Sequence, residues 1–273
     1  MYRIVAIPKK NGDKRKIYIP NEELKKKQRE ILKKLDDIYF TNDEVRKRLM
    51  YCYSFKKNMS IYDNALQHAG KKYILKIDLK DFFPTCTKNS ANMFVQKVLS
   101  MAEVSSDDVY YNNNFLPQGA PTSPFISNLY LAKFDCELVG MLRTSFSDDA
   151  VYTRYADDIV ISSNSKAIFS NTLLNIIRNK LYRIGFKINE DKIKKLTRSS
   201  PMRVTGYVVN SGKPTISRKK RRWLRAVIHN ATKTKTISKC DYQKVIGFLA
   251  FCQQAHPEWV DKCKKQLSDL KII

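Results

Sequence analysis

The sequence is poor in every feature that would place it in a membrane, a secretory route or a disulfide scaffold. No apolar run approaches the ~18 residues that a membrane-spanning helix needs. The opening Met1-Tyr2-Arg3-Ile4-Val5-Ala6-Ile7-Pro8 is too short an apolar stretch for a signal peptide. The six cysteines (52, 86, 136, 240, 252 and 263) form no Cys-x-x-Cys pair and no zinc spacing with the three histidines. They read as reduced packing thiols of a cytoplasmic protein. No internal repeat and no low-complexity linker is present. Negative charge is also scarce: 26 Asp and Glu stand against 51 Lys and Arg, a net of +25. Solubility needs far less, so the excess points to a polyanionic partner. With 43% hydrophobic and 28% charged residues among 273, the chain is globular and long enough to bury a sizeable core.

The excess is uneven. Residues 1–60 hold 17 Lys/Arg against 8 Asp/Glu, residues 61–186 hold 13 against 12, and residues 187–273 hold 21 against 6. Two basic arms thus flank a near-neutral middle in which the clustered aspartates lie. A chain of this design grips a polyanion at both ends and does metal chemistry between.

That middle contains Val151-Tyr152-Thr153-Arg154-Tyr155-Ala156-Asp157-Asp158-Ile159-Val160-Ile161. Strand side chains alternate faces, so adjacent aspartates inside a regular strand would point apart. The pair therefore belongs at the bend of a hairpin. Unpaired carboxylates between apolar strands are electrostatically costly, and divalent cations are the usual reason to keep them.

The remaining segments fall in order around this hairpin. Residues 2–7 and Ile17-Tyr18-Ile19 are strand-like, and Asn11-Gly12 between them predicts a hairpin with a basic tip suited to phosphates. Residues 21–39 predict a helix capped by Asn21, with Leu24, Gln28, Ile31, Leu32 and Leu35 on one face. Residues 60–68 are helical in pattern and stop at Gly70. Residues 72–79 predict a strand that ends at Asp78, where an α/β-type sheet puts chemistry. Five positions on, Phe83 could wall a sugar pocket, or simply join the core with Phe82. Residues 88–101 predict a helix and 102–114 a polar loop.

Leu116-Pro117-Gln118-Gly119 precedes Ser123-Pro124, an N-cap and first-turn pair, and a helix to about Leu142 with Phe125, Leu129, Ala132 and Leu138 inward. Gly119 permits close backbone approach to a ligand. Residues 166–184 predict one amphipathic helix ended by Gly185. Residues 186–193 follow as strand and turn, and 203–209 as a strand with a bulge or close approach at Gly206. Ser217 then caps a helix opening on Arg218-Lys219-Lys220-Arg221-Arg222, with Trp223, Val227 and Ala231 as its apolar face. Residues 239–256 and 258–271 give two more helices, split at Pro257.

Taken together, these stretches resemble the reverse transcriptase family. The resemblance rests on Asp78 with Phe82-Phe83, Leu116-Pro117-Gln118-Gly119, Tyr155-Ala156-Asp157-Asp158, Gly185 with Lys192, and Val204-Thr205-Gly206-Tyr207, and it extends over essentially the whole chain. Asn64-Ala65-Leu66-Gln67-His68 and Val204-Thr205-Gly206 further resemble two elements that mark the retron branch of that family in bacteria. The resemblance implies an α+β, right-hand polymerase fold: fingers over 1–75, a palm with an antiparallel sheet over 76–210, and a basic helical thumb over 211–273.

It also implies roles. Asp78, Asp157 and Asp158 would hold two Mg²⁺ ions ~3.5–4 Å apart for phosphoryl transfer from a deoxynucleoside triphosphate. Arg15 and one of Lys9 or Lys10 would hold the triphosphate. Phe83 would exclude a ribose 2′-hydroxyl, Gln118 and Gly119 would floor the pocket, and Lys192 would protonate pyrophosphate. Asn64, His68, Val204, Thr205, Gly206 and Arg218, Lys219, Lys220, Arg221 and Arg222 would contact RNA. The implied partner is a structured non-coding RNA that serves as template and as 2′-hydroxyl primer, yielding multicopy single-stranded DNA branched to RNA, in anti-phage defence alongside a separate effector protein.

The chain starts almost at the first fingers strand, without the helical segment that usually precedes it. No nuclease-like acidic cluster follows residue 210, so RNA removal would need a host enzyme. Three alternatives within the family are an intron-encoded, a diversity-generating and an abortive-infection enzyme. A fourth, of another class, is an RNA-binding scaffold that restrains an effector.

Overall fold

The computed structural model describes residues 2–8 and 12–273. The chain opens with the antiparallel pair β1 (Tyr2–Pro8) and β2 (Lys14–Pro20), in the register Tyr2 opposite Pro20 and Pro8 opposite Lys14. Asn21 then caps α1 (Glu22–Thr41) by accepting from Leu24 N–H, with Glu22 and Glu23 in the first turn where the helix dipole favours them. Next come α2 (Asp43–Arg48), α3 (Ile61–Gln67), β3 (Tyr73–Asp78) and the single turn α4 (Phe82–Thr85).

Asn92 starts α5 (Met93–Met101) by accepting from Phe94 and Val95 N–H, five residues later than its helical pattern alone suggests. The polar segment after it holds one turn, α6 (Ser106–Val109). Helix α7 (Ser123–Ser145) is the longest. Its cap is Thr122, whose side chain makes no capping bond, and Ser123 is already helical.

Strands β4 (Val151–Tyr155) and β5 (Asp158–Ser163) follow. The expected continuous helix over 166–184 is broken. A 3₁₀ turn spans Lys166–Phe169, and Ser170 Oγ then caps α8 (Asn171–Arg183) through Leu173 N–H. A hydroxyl that satisfies a free N–H competes with helix continuation. After β6 (Lys194–Thr197), the expected strand over 203–209 is a tight hairpin, β7 (Arg203–Val204) and β8 (Tyr207–Val208), turning on Thr205 and Gly206 with φ of 44° and 94°. The chain closes with α9 (Arg218–Thr234), β9 (Thr236–Ile237), α10 (Lys239–Cys252), α11 (Pro257–Ser268) and β10 (Lys271–Ile272).

The elements pack as two compact units: residues 1–60 with 73–196, and residues 61–72 with 197–273. In the first, a sheet of order β4-β5-β3-β6 has β5 antiparallel to both of its neighbours, β4 and β3. Its core packs Ile77, Ile159 and Ile161 with Phe125, Leu129 and Leu138 of α7 and Leu35 of α1, all essentially without exposure. The β1–β2 hairpin is anchored by Tyr2 and Tyr18 against Tyr111, and by Tyr18 against Phe115.

In the second unit, α3 packs near β8, and Thr205 Oγ1 donates to the Ile61 carbonyl. The buried face of α9 is Leu224, Ile228 and Ala231, whereas Trp223 of the expected face is 42% exposed. All six cysteines are free, and among the described residues no helix is long and apolar enough to cross a membrane.

One buried charge in the first unit has a measurable signature. Lys56 is 6% exposed, donates to the Leu49 carbonyl at 2.7 Å and lies over the Tyr39 ring. Burial lowers its pKa to about 8 from 10.5. Between those values the unfolded chain binds the extra proton, so stability rises with pH across that window. Lys56→Met is expected to flatten that rise, as read by urea unfolding at pH 8 and pH 10.

Candidate active site

The register of β3 against β5 sets Asp78 directly opposite Asp158. Between β4 and β5 lies a two-residue turn, Ala156-Asp157, with Ala156 in the left-handed region at φ 56°. Asp157 is thus presented from a bend beside two strand-end carboxylates. Asp78, Asp157, Arg15, Phe83, Gln118 and Lys192 line one cavity of about 1050 Å³. Asp158, the first residue of β5, is not among the residues that line it.

Electrostatics in this cluster are unfavourable as it stands. Burial pushes the Asp157 carboxyl above the ordinary aspartate range, and the charges of Asp158 and Asp78 push the same way. Burial also raises Asp158, with Asp78 adding to the effect while Lys76, Lys192 and Lys194 oppose it. Lys192 Nζ donates to Asp78 Oδ1 at 2.9 Å, and Asn189 Nδ2 donates to the same oxygen at 3.2 Å. The bond to Asp78 holds the Lys192 ammonium above the ordinary lysine range.

Hard carboxylate oxygens suit a divalent cation such as magnesium or manganese, and such an ion would offset both the burial and the repulsion that raise the two aspartates. The donor chemistry therefore fits. Among the described residues, no three His, Cys, Asp or Glu side chains are arranged to hold a metal ion as they stand.

The other expected residues divide. Phe83 is half-buried against Phe55 and Phe82. At Gly119, φ is 120° and an added Cβ would lie 2.7 Å from the Tyr18 carbonyl oxygen, so the close approach is to β2. Tyr18 N–H donates to the Gln118 carbonyl at 2.8 Å, which fixes the hairpin to that loop. Lys9 and Lys10 lie outside the described residues. Asn64, His68, Val204, Thr205, Gly206 and residues 218–222 belong to the second unit. Asn64, His68 and Val204 are fully buried there, and the Asn64 amide has no hydrogen-bond partner among the described residues. Arg218, Lys219, Lys220 and Arg222 are exposed.

Sequence reasoning missed the layer behind the turn. Arg154 is fully buried and donates to both oxygens of buried Asp135, to Asn128 Oδ1 and to the Asn128 carbonyl. It also donates to the Ala156 carbonyl at 3.3 Å, while Ser54 Oγ accepts from Ala156 N–H at 2.8 Å. Asn128 in turn donates to the Ser54 carbonyl. Leu79 N–H donates to the Asp157 carbonyl at 3.0 Å. Both peptide groups that flank the strained Ala156 are therefore held. The signal was present in the sequence: a charged Arg154 at an inward strand position, with Asp135 inside an apolar helix.

A protein-family model described as reverse transcriptase (RNA-dependent DNA polymerase) matches residues 7–209. This chain belongs to the reverse transcriptase family. Among curated proteins, it is 33% identical to the Escherichia coli retron Ec86 reverse transcriptase, over 92% of this chain and 75% of that one. It is 32% identical to the E. coli retron Ec73 reverse transcriptase, over 98% of this chain and 87% of that one.

Among solved structures, apo telomerase from Candida tropicalis matches with a TM-score of 0.53 at 14% identity, over 76% of this chain and 46% of that one. The chain thus spans about half of that neighbour, which shows the fold alone. This reverse transcriptase is of the bacterial retron type, an RNA-directed DNA polymerase with an α+β, right-hand polymerase fold.

Two variants test the geometry of the turn and of the Gln118–Gly119 loop. Ser54→Ala is expected to lower kcat about ten- to hundredfold through displacement of Asp157. The nucleotide KM should change little, and hydrogen–deuterium exchange at the Ala156 amide should accelerate. Gly119→Ala is expected to lose at least about 1 kcal/mol in urea unfolding, because a side chain at positive φ is strained and here also meets β2.

Proposed function

We propose that this reverse transcriptase copies a dedicated structured non-coding RNA, starting from the 2′-hydroxyl of a guanosine within it. The product would be multicopy single-stranded DNA branched to RNA, made in the bacterial cytoplasm as part of anti-phage defence with a separate effector protein. The observation that supports the polymerase site most directly is the single cavity shared by Asp78, Asp157, Arg15, Phe83, Gln118 and Lys192. Kinship with two retron enzymes at about one-third identity supports the retron assignment of template and primer.

In each cycle the primer hydroxyl attacks the α-phosphorus of a deoxynucleoside triphosphate, the bond to the β-phosphate oxygen breaks, and pyrophosphate leaves. Asp78, Asp157 and Asp158 would hold two Mg²⁺ ions, which would neutralise charge at the attacking and leaving oxygens. Arg15, exposed on β2 and lining the cavity, binds the triphosphate, joined in this reading by Lys9 or Lys10. Phe83 lies under the sugar and excludes a 2′-hydroxyl. Gln118 floors the pocket through a loop whose backbone is bonded to Tyr18. Lys192 keeps its proton through the Asp78 ion pair and carries it at the cavity wall, where pyrophosphate departs.

The second unit contributes RNA recognition in this reading. Exposed Arg218, Lys219, Lys220 and Arg222, with half-buried Arg221, meet phosphates. Buried Asn64, His68 and Val204 shape the unit in which the Thr205–Gly206 turn sits. In this reading the functional division is fingers over 1–75, palm over 76–210 and thumb over 211–273.

Asp157→Ala is expected to abolish extension of a primed RNA template, a loss of at least about 10³-fold, while RNA still co-purifies from cells that carry the native flanking DNA. The wild type should carry with it short DNA that resists DNA-specific exonuclease until debranched. A wild-type preparation free of nucleic acid and without divalent-metal-dependent synthesis would sink the reading. Phe83→Ala should raise ribonucleotide incorporation at least tenfold relative to deoxyribonucleotide, measured as the ratio of kcat/KM values.

A further inference from the structure

Within the second unit, four aromatic rings run from the interior to the surface. Tyr207, 1% exposed, stacks on Phe251 with ring centres 4.4 Å apart, and Phe251 stacks on Phe248 at 6.0 Å. Phe248 meets Trp223 at 5.8 Å and 75°, an edge contact that fixes the indole. Trp223 is the exposed end of the run. It lines a cavity of about 440 Å³ together with Arg203, Gly206, Ser217, Lys219 and Lys220, within the range that small ligands fill. Gly206 lets the β7–β8 turn approach this stack, since an added Cβ would lie 3.1 Å from Phe251 Cζ.

The walls carry three cations and no carboxylate. Arg203, Lys219 and Lys220 form no ion pair among the described residues. Lys220 Nζ lies 5.4 and 5.3 Å from the ring centres of Phe248 and Phe251, so its charge is held against the aromatic wall. A flat indole held in place beside unpaired cations suits a ligand that has a π-face and a negative charge. An acidic peptide would satisfy the cations and leave the indole unused.

We propose that this cavity takes one unpaired nucleotide of a bound strand, with its base laid on Trp223 and its phosphate met by Arg203 and Lys219. The inference rests on the polymerase reading for the source of that strand. It adds a stacking contact, which reads an unpaired base, to a surface otherwise fit only for phosphates.

The chain has two tryptophans, so Trp259→Phe in the full chain leaves Trp223 as the only tryptophan, read alone by excitation at the red edge where tyrosine does not absorb. The probes are an oligouridylate and an oligothymidylate of about 12 nucleotides, a blunt RNA duplex of the same length, and a polyaspartate peptide. Saturable quenching by either single strand, with none by the duplex or the peptide, is expected, and the stronger strand identifies the one served.

On the wild-type background, fluorescence anisotropy should show Trp223→Ala binding the single strand about ten- to hundredfold more weakly, with Trp223→Phe close to wild type. Equal affinity of Trp223→Ala and wild type would overturn the proposal, as would equal quenching by the duplex or by polyaspartate. Primer extension separates the two readings. Extension without quenching sinks the nucleotide site and leaves the polymerase, while quenching without extension does the reverse.

Discussion

The candidate active site depends on a salt bridge that never touches solvent. Arg154 and Asp135 each show no exposure and meet at 2.7 Å. Such a pair is tolerable only when its remaining donors and acceptors are satisfied, and removal of one partner strands the other charge at a cost of about 3–5 kcal/mol. Here the surplus capacity is used on the turn between β4 and β5. Tyr152 donates to Asp135 at 2.5 Å, and Arg154 reaches on to Asn128 and the Ala156 carbonyl. β4, α7 and the segment around Ser54 are thereby tied to one another at the single bend that presents Asp157.

A second constraint is the negative charge gathered at that bend. Asp157 and Asp158 are raised by burial and by neighbouring carboxylates, while Lys192 and Asn189 bind Asp78 from one side. A frame of backbone bonds (Leu79 to the Asp157 carbonyl, Asn189 to the Asp78 carbonyl) keeps the three from moving apart. Rigid presentation of mutually repelling acids is what a site for cations requires, since relaxation of the repulsion by side-chain retreat would also disperse the ligands.

Much of this was readable in the sequence because it depends on local pattern. Strand alternation placed a bend at the Asp157-Asp158 pair, where Asp157 lies in the turn and Asp158 opens β5, and the pattern ended a strand at Asp78, the third carboxylate. The breaks were less readable, because they turn on one hydroxyl or amide that outcompetes helical periodicity, as at Ser170 and Asn92. Thr205 at positive φ turned an expected strand into a hairpin, and nothing in β-branched propensity announces that. On α9, two overlapping apolar stripes existed. Burial selected Leu224, Ile228 and Ala231, because helix packing decides which stripe turns inward. The Arg154 network lay furthest from reach: its links to Asp135, Asn128 and Ser54 span 17 to 102 residues of sequence.

The contact between Gly119 and Tyr18 has a kinetic side. With no room for even a Cβ between them, and with Tyr18 N–H bonded to the Gln118 carbonyl, the basic hairpin and the Gln118–Gly119 loop form one mechanical piece at that point. In the proposed reading, an opening that admits a fresh triphosphate would bend the hairpin beyond Tyr18, toward Arg15, or carry the Gln118–Gly119 loop with it. Processivity and nucleotide selection would then share one hinge, so a change that loosens the first should be felt in the second.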